Sequence, residues 1–132
     1  MTARSTALRR SAVMAAGAFV LYGGWAAYAN RAYGLATAFK AAVTQGAISF
    51  LVTLFMTLIL EFIFHSIGPK FLRFIVTAVG TQTVVAVMTF TVHYIVGTPE
   101  ILVTMAPSFI VSSTYSILYT TGLHIRDRQR AR

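Results

Sequence analysis

Charged residues cut the chain into four uncharged, predominantly apolar runs: 11–30, 41–60, 74–99 and 101–125. A helix needs about 20 apolar residues to cross a bilayer core. Only helices and closed barrels satisfy their backbone groups in lipid. The runs are too long and too continuously apolar for barrel strands, which alternate over about 10 residues. The pattern therefore predicts an all-α fold, an integral membrane four-helix bundle in a single domain over 1–132. Its helices are expected at about 11–30, 41–66, 71–97 and 99–124, with short basic termini.

The breaks between runs carry helix punctuation. Gly68-Pro69 is expected to end the second helix through a left-handed glycine cap, since proline cannot continue it. Thr98-Pro99 reads as the start of the fourth, with threonine as cap and proline in the first turn. Segment 31–40 reads as a looser connection, with a second helix that starts near Thr37 and projects or tilts. Pro107 predicts a kink in the fourth helix.

Within the runs the polar residues recur every fourth position. The second carries Gln45, Ser49, Thr53, Thr57, Glu61 and His65; the fourth carries Thr104, Ser108, Ser112, Ser116, Thr120 and His124. Residues four apart share a helix face. The third run has a partial copy in Thr77, Thr81, Thr89 and His93. The second and fourth runs also align at an offset of 59 residues, which pairs Ser49 with Ser108, Phe50 with Phe109 and His65 with His124. The first and third match at an offset of 63 on Arg10, Val13, Ala15, Gly17 and Arg73, Val76, Ala78, Gly80. Together these suggest two tandem helical hairpins in parallel repeat. Such stripes either pack helices together or line a polar path. The first run is rich in small residues, and Gly23-x-x-x-Ala27 is a close-packing spacing. Tyr22, Trp25 and Tyr28 fall where aromatic rings settle at a membrane interface.

Charge sharpens the picture. The net charge is +8, with 11% charged residues against 57% hydrophobic. A basic balance alone suggests nucleic acid, but its placement sets topology instead. Arg4, Arg9, Arg10, Lys70, Arg73, Arg126, Arg128, Arg130 and Arg132 fall on one side of four helices, and Arg31 and Lys40 on the other. The positive-inside rule then puts both termini in the cytoplasm, and no nucleic acid is expected as a partner. The basic tail is suited to anionic lipid. Residues 1–29 also have the outline of a signal peptide ending at Ala27-Tyr28-Ala29, but the apolar run outlasts the usual 7–15 residues, which favours a retained helix. There is no cysteine, so disulfides and thiol chemistry are excluded.

Glu61 is the one acid away from a helix end or tail, and an ionisable group within a span is a functional candidate by default. His65, one turn on, is positioned to share its proton, and Thr57, Ser112, Ser116 and His124 complete the expected proton or substrate site. The competing role for Glu61 is a structural pair with Lys70, Arg73 or Arg126. His93 beside Tyr94 reads as an interface residue. His65, His124 and Glu61 have no spacing that fixes a metal site, and no nucleophile–base set stands out. No cofactor, metal or enzymatic activity is expected.

Phe71-Leu72-Arg73-Phe74 followed by Gly80-Thr81-Gln82-Thr83 resembles the GtrA-like family of small four-helix membrane proteins, over about residues 71–125. Gln82 stands where that family has asparagine, and Glu61 and His65 stand where its even helices end in asparagine. The resemblance implies handling of polyprenyl-linked sugars in a bacterial inner membrane. The function expected is a small membrane transporter or translocator, of a lipid-linked sugar or another small polar or ionic substrate, working as a homo-oligomer or in a larger complex. The alternative is a non-catalytic accessory or assembly subunit of a membrane complex.

Overall fold

The computed structural model describes the backbone of residues 3–130 and the side chains of residues 9–129. The described residues form five α-helices: α1 (Ala3–Ala29), α2 (Leu35–Ser66), α3 (Lys70–Ile75), α4 (Thr81–Val96) and α5 (Ile101–Arg130). A π turn over Val76–Gly80 joins α3 to α4, so Lys70–Val96 is one continuous span. Four spans are long and apolar enough to cross a membrane. The protein is an all-α, integral membrane four-helix bundle. The α1–α2 and α4–α5 turns share one end, called here the loop end. The termini and the α2–α3 turn share the other, the terminal end. The chain thus makes two consecutive hairpins that run in the same sense.

Several boundaries differ from expectation. α2 starts at Leu35 and carries Lys40 within it, because Gly34 (φ 93°) completes the turn in a conformation only glycine adopts readily. α2 ends with Ile67 extended, and Gly68 is not left-handed. Arg73 terminates the helix instead, donating from Nε to the Ile67 carbonyl (2.7 Å) and from Nη2 to that of Gly68 (3.1 Å). It also pairs with Asp127 at 3.0 Å, so it is not the partner of Glu61. At the other turn, Gly97 (φ 77°) closes α4, its N–H reaching the Tyr94 carbonyl. Thr98 is therefore no cap for α5, which begins at Ile101. Of the terminal cations, Arg4 and Arg130 lie where only the backbone is described, and Arg132 lies outside the described residues.

α1 packs along α2 at a glycine crossing. A Cβ on Gly23 would stand 2.9 Å from the Ala42 carbonyl oxygen, and one on Gly46 would stand 3.0 Å from the Phe19 ring. Small residues are what allow two backbones this close in a membrane, where no hydrophobic force drives helices together. Ala15 and Ala26 on α1, with Ala41, Leu60 and Phe64 on α2, are almost wholly buried. The many exposed Leu, Ile, Val and Phe side chains suit a lipid-facing surface.

The two glycines of α1 are distinguishable by substitution. Gly23→Ala forces a backbone shift and is expected to destabilise the bundle by about 1–3 kcal/mol. Nothing lies within 4 Å of a Cβ at Gly24, so Gly24→Ala should be neutral or gain up to about 1 kcal/mol in helix propensity. Thermal unfolding in one detergent checks both.

Candidate functional site

Pro107 lies inside α5 and lacks an N–H, which leaves the Val103 carbonyl one turn back without its helical partner. The Trp25 indole of α1 fills that role, donating to Val103 O at 2.8 Å. Asn30, fully buried at the end of α1, extends the contact. Its amide nitrogen donates to Thr104 Oγ1 (2.7 Å) and its oxygen accepts the Glu100 N–H (3.1 Å). Tyr33, in the 3-10 turn Arg31–Tyr33, donates to Glu100 Oε1 at 2.7 Å. That carboxylate accepting its proton, with the added charge effect, holds the Tyr33 phenol above the ordinary tyrosine range. These contacts clamp α1 and its turn onto the start of α5. Trp25 is thus a cross-link between spans, beyond the interfacial anchor expected of it.

Beneath the clamp lies a groove of about 690 Å³ lined by α1, α2, α4 and α5. Toward the loop end its floor is buried, formed by Gln45, Ser49, Thr89 and Met105, while Leu21 on its α1 wall is exposed. Toward the terminal end Arg10, Ser11 and Met14 on one wall and Val111 and Tyr115 on the other are exposed. The volume falls in the range of small-molecule sites, about 300–1,000 Å³. Its polar lining is almost entirely uncharged: Gln45, Ser49, Thr53, Thr89, Ser108 and Ser112, with Ile48, Val52, Met56 and Phe109 between. Among the described residues Arg10 is the one charged lining residue, at the terminal end.

A ladder of hydrogen bonds ties α2 to α5 next to this groove. Thr57 Oγ1 and Tyr115 OH lie 2.8 Å apart. One turn on, Tyr119 OH donates to Glu61 Oε1 at 2.5 Å. Tyr115 and Tyr119 stack at 5.6 Å. Glu61 is outside the groove but is joined to its lining residue Tyr115 through Tyr119.

The expected site residues separate in the fold. Thr57 and Glu61 come together with Tyr115 and Tyr119, which lie outside the fourfold polar stripes. His65 is not Glu61's proton partner: its Nδ1 lies 2.7 Å from the Glu61 backbone oxygen, on its own helix, and the side chain is exposed. Ser112 donates to Gln82 Oε1 at 3.2 Å and lines the groove. Ser116, fully buried, donates to the Ala78 carbonyl of the π turn at 3.2 Å. His124 packs edge-on to Phe74, and its ring bonds to neither Glu61 nor His65 among the described residues. Among the described residues no three His, Asp or Glu side chains gather as a metal site.

His93 overturns its reading as an interface residue. It is fully buried, with Nδ1 2.8 Å from Thr98 Oγ1 and Nε2 2.7 Å from Gln45 Oε1. Gln45 in turn donates to Ser108 (2.8 Å) and Ser49 (3.2 Å). The fourfold spacing in α4 carried the signal, but nothing in the sequence says which of its faces is covered.

No family model, curated protein or solved structure matches this chain.

Trp25→Phe keeps an aromatic ring but removes the N–H with the rest of the pyrrole ring, leaving the Val103 carbonyl unpaired. A loss of about 1–3 kcal/mol is expected, with faster hydrogen exchange at the start of α5. Unchanged stability and exchange would show that the indole does not hold the clamp.

Proposed function

We propose that the protein is a small proton-linked membrane translocator that takes an amphiphilic substrate into the groove from the terminal end. The observation that carries this reading is a groove with a buried floor at the loop end and exposed walls at the terminal end, with a carboxylate one stacked tyrosine away from its lining. An apolar wall interleaved with neutral hydrogen-bonding groups suits an uncharged polar headgroup and the first part of an apolar chain. Arg10 at the terminal end suits an anionic link such as a phosphate. A lipid-linked sugar has this chemistry, and the resemblance of residues 71–83 to the GtrA-like family adds support. The distribution of lysine and arginine makes the terminal end cytoplasmic, in a bacterial inner membrane on the same resemblance.

Glu61 supplies the coupling. Ionised, it accepts the Tyr119 proton and draws α2 and α5 together beside the groove. Protonated, it can still accept from Tyr119 but loses the charge that strengthens the bond, which loosens the seam that Tyr115 shares. Proton binding and groove width are then two readings of one equilibrium. All four spans contribute to the groove within one copy, so oligomerisation would modulate the site without completing it.

Reconstitution with a fluorescent short-chain polyprenyl-phosphate sugar tests this. The purified protein should accelerate its movement between leaflets, and Glu61→Gln should slow that movement by about tenfold or more, a barrier increase of at least about 1.4 kcal/mol. Full flux in Glu61→Gln would overturn the proton coupling. No flux with the unaltered protein would overturn the translocator reading in favour of an accessory subunit.

A further inference from the structure

His93 has no part in the coupling just described, yet it is bonded from behind to Gln45, which lines the loop end of the groove. Its hydrogen bonds can be assigned. Ser108 Oγ donates to the Met105 carbonyl at 2.9 Å, so it accepts from Gln45. The Gln45 amide nitrogen therefore faces Ser108, and its oxygen faces His93. That oxygen can only accept, so His93 carries its hydrogen on Nε2. Nδ1 of the neutral ring then accepts from the Thr98 hydroxyl. Thr98 sits in the α4–α5 turn, two residues before Glu100, which Asn30 and Tyr33 grip. A continuous chain of bonds thus runs from the clamp turn through Thr98, His93 and Gln45 to Ser49 and Ser108 in the groove.

We propose that His93 is a second proton-binding site, distinct from Glu61, and that its protonation opens the loop end of the groove. A proton added to the ring goes to Nδ1, because Nε2 is already protonated. Thr98 Oγ1 must then accept, and turns its own hydrogen away into a buried space. The imidazolium that results is sealed without a bonded carboxylate. A buried charge in that setting is costly unless water reaches it, so the protonated ring favours a hydrated, opened turn. This is the behaviour of histidine pH switches, in which a charge change biases an element with two arrangements.

The other titratable groups at this end are otherwise engaged. Glu100 binds Tyr33. Arg31 donates to the Tyr28 carbonyl and lies over the Tyr28 ring. Lys40 on α2 is exposed, and Tyr94 on α4 is exposed and stacked on Phe90. Tyr22 of α1 lines the groove. Among the described residues none of them bonds to His93, Gln45 or Thr98.

Because the chain has no cysteine, single-cysteine labelling reads the opening directly. A membrane-impermeant maleimide is applied from the loop side to reconstituted Val52→Cys, in the groove. Its rate is normalised to Ala32→Cys in the exposed α1–α2 turn, which removes the pH dependence of the thiol. The normalised rate should rise by about fivefold or more between pH 7.5 and 5.5, and this rise should vanish in a His93→Gln background. A flat profile in the unaltered protein, or a rise that survives His93→Gln, would overturn the proposal. Nitrogen NMR of the unaltered protein gives a second readout that needs no stable variant. A population of the His93 ring with two N–H groups should appear and grow as the pH falls over the same interval, and a ring with no such population at pH 5 would refute the switch. Neither measurement requires flux, so a failure here and a failure of the translocator reading are distinguishable.

Discussion

The docking of α1 onto the first turn of α5 sets the shape of what lies below it. It depends on a gap in backbone bonding. Pro107 withdraws one N–H from α5, and the exposed carbonyl would be costly in lipid if left alone. Trp25 supplies the missing donor across the helix interface. Asn30 then meets both a side chain and a backbone N–H at the start of α5. With the two spans held at this end, their other halves face each other across the groove. A residue that weakens a helix taken alone thus becomes an attachment point in the bundle.

The polar residues sort by a simple physical rule. Thr83, Thr91, Thr114 and Thr121 are exposed on their helices, and each donates to the carbonyl four residues back. Such residues are self-sufficient and need no neighbour. Gln45, His93, Asn30 and Ser116 are buried and bond between elements. Beside the π turn, the buried hydroxyls of Thr77, Thr81 and Thr120 have no partner among the described residues. π turns recur at functional sites because they aim side chains and carbonyls off the regular ladder. The terminal half of the seam between α4 and α5 therefore keeps polar capacity that the loop half has already used.

The four spans, their antiparallel order and the close approach at Gly23 were legible in the sequence. Each follows from local rules about run length, charge placement and residue size. Glu61 was legible as an anomaly, but its partner was not. Fourfold spacing put His65 on the same face, yet His65 turns to a carbonyl of its own helix, and Tyr119 reaches Glu61 from α5. Spacing fixes which residues share a face; it does not say which helix that face meets. The same limit hid the burial of His93 and the docking of Asn30. It also let the 59-residue repeat overreach. Gln45 and Thr104 are both buried, but Glu61 is half-exposed where its counterpart Thr120 is fully buried. The turns failed for another reason: Arg73 supplies to α2 the bonds that a glycine cap was expected to provide.

The central claim is that α1 and α5 are clamped at the loop end and part toward the terminal end. Spin-label distances in lipid test it most directly, on the cysteine-free chain. The pair Tyr28→Cys and Leu102→Cys reports the loop end, and Val13→Cys with Leu118→Cys reports the terminal end. A narrow distribution is expected for the first pair, and a longer, broader one for the second that narrows when an amphiphile fills the groove. Equal, narrow separations at both ends, unmoved by ligand, would contradict it.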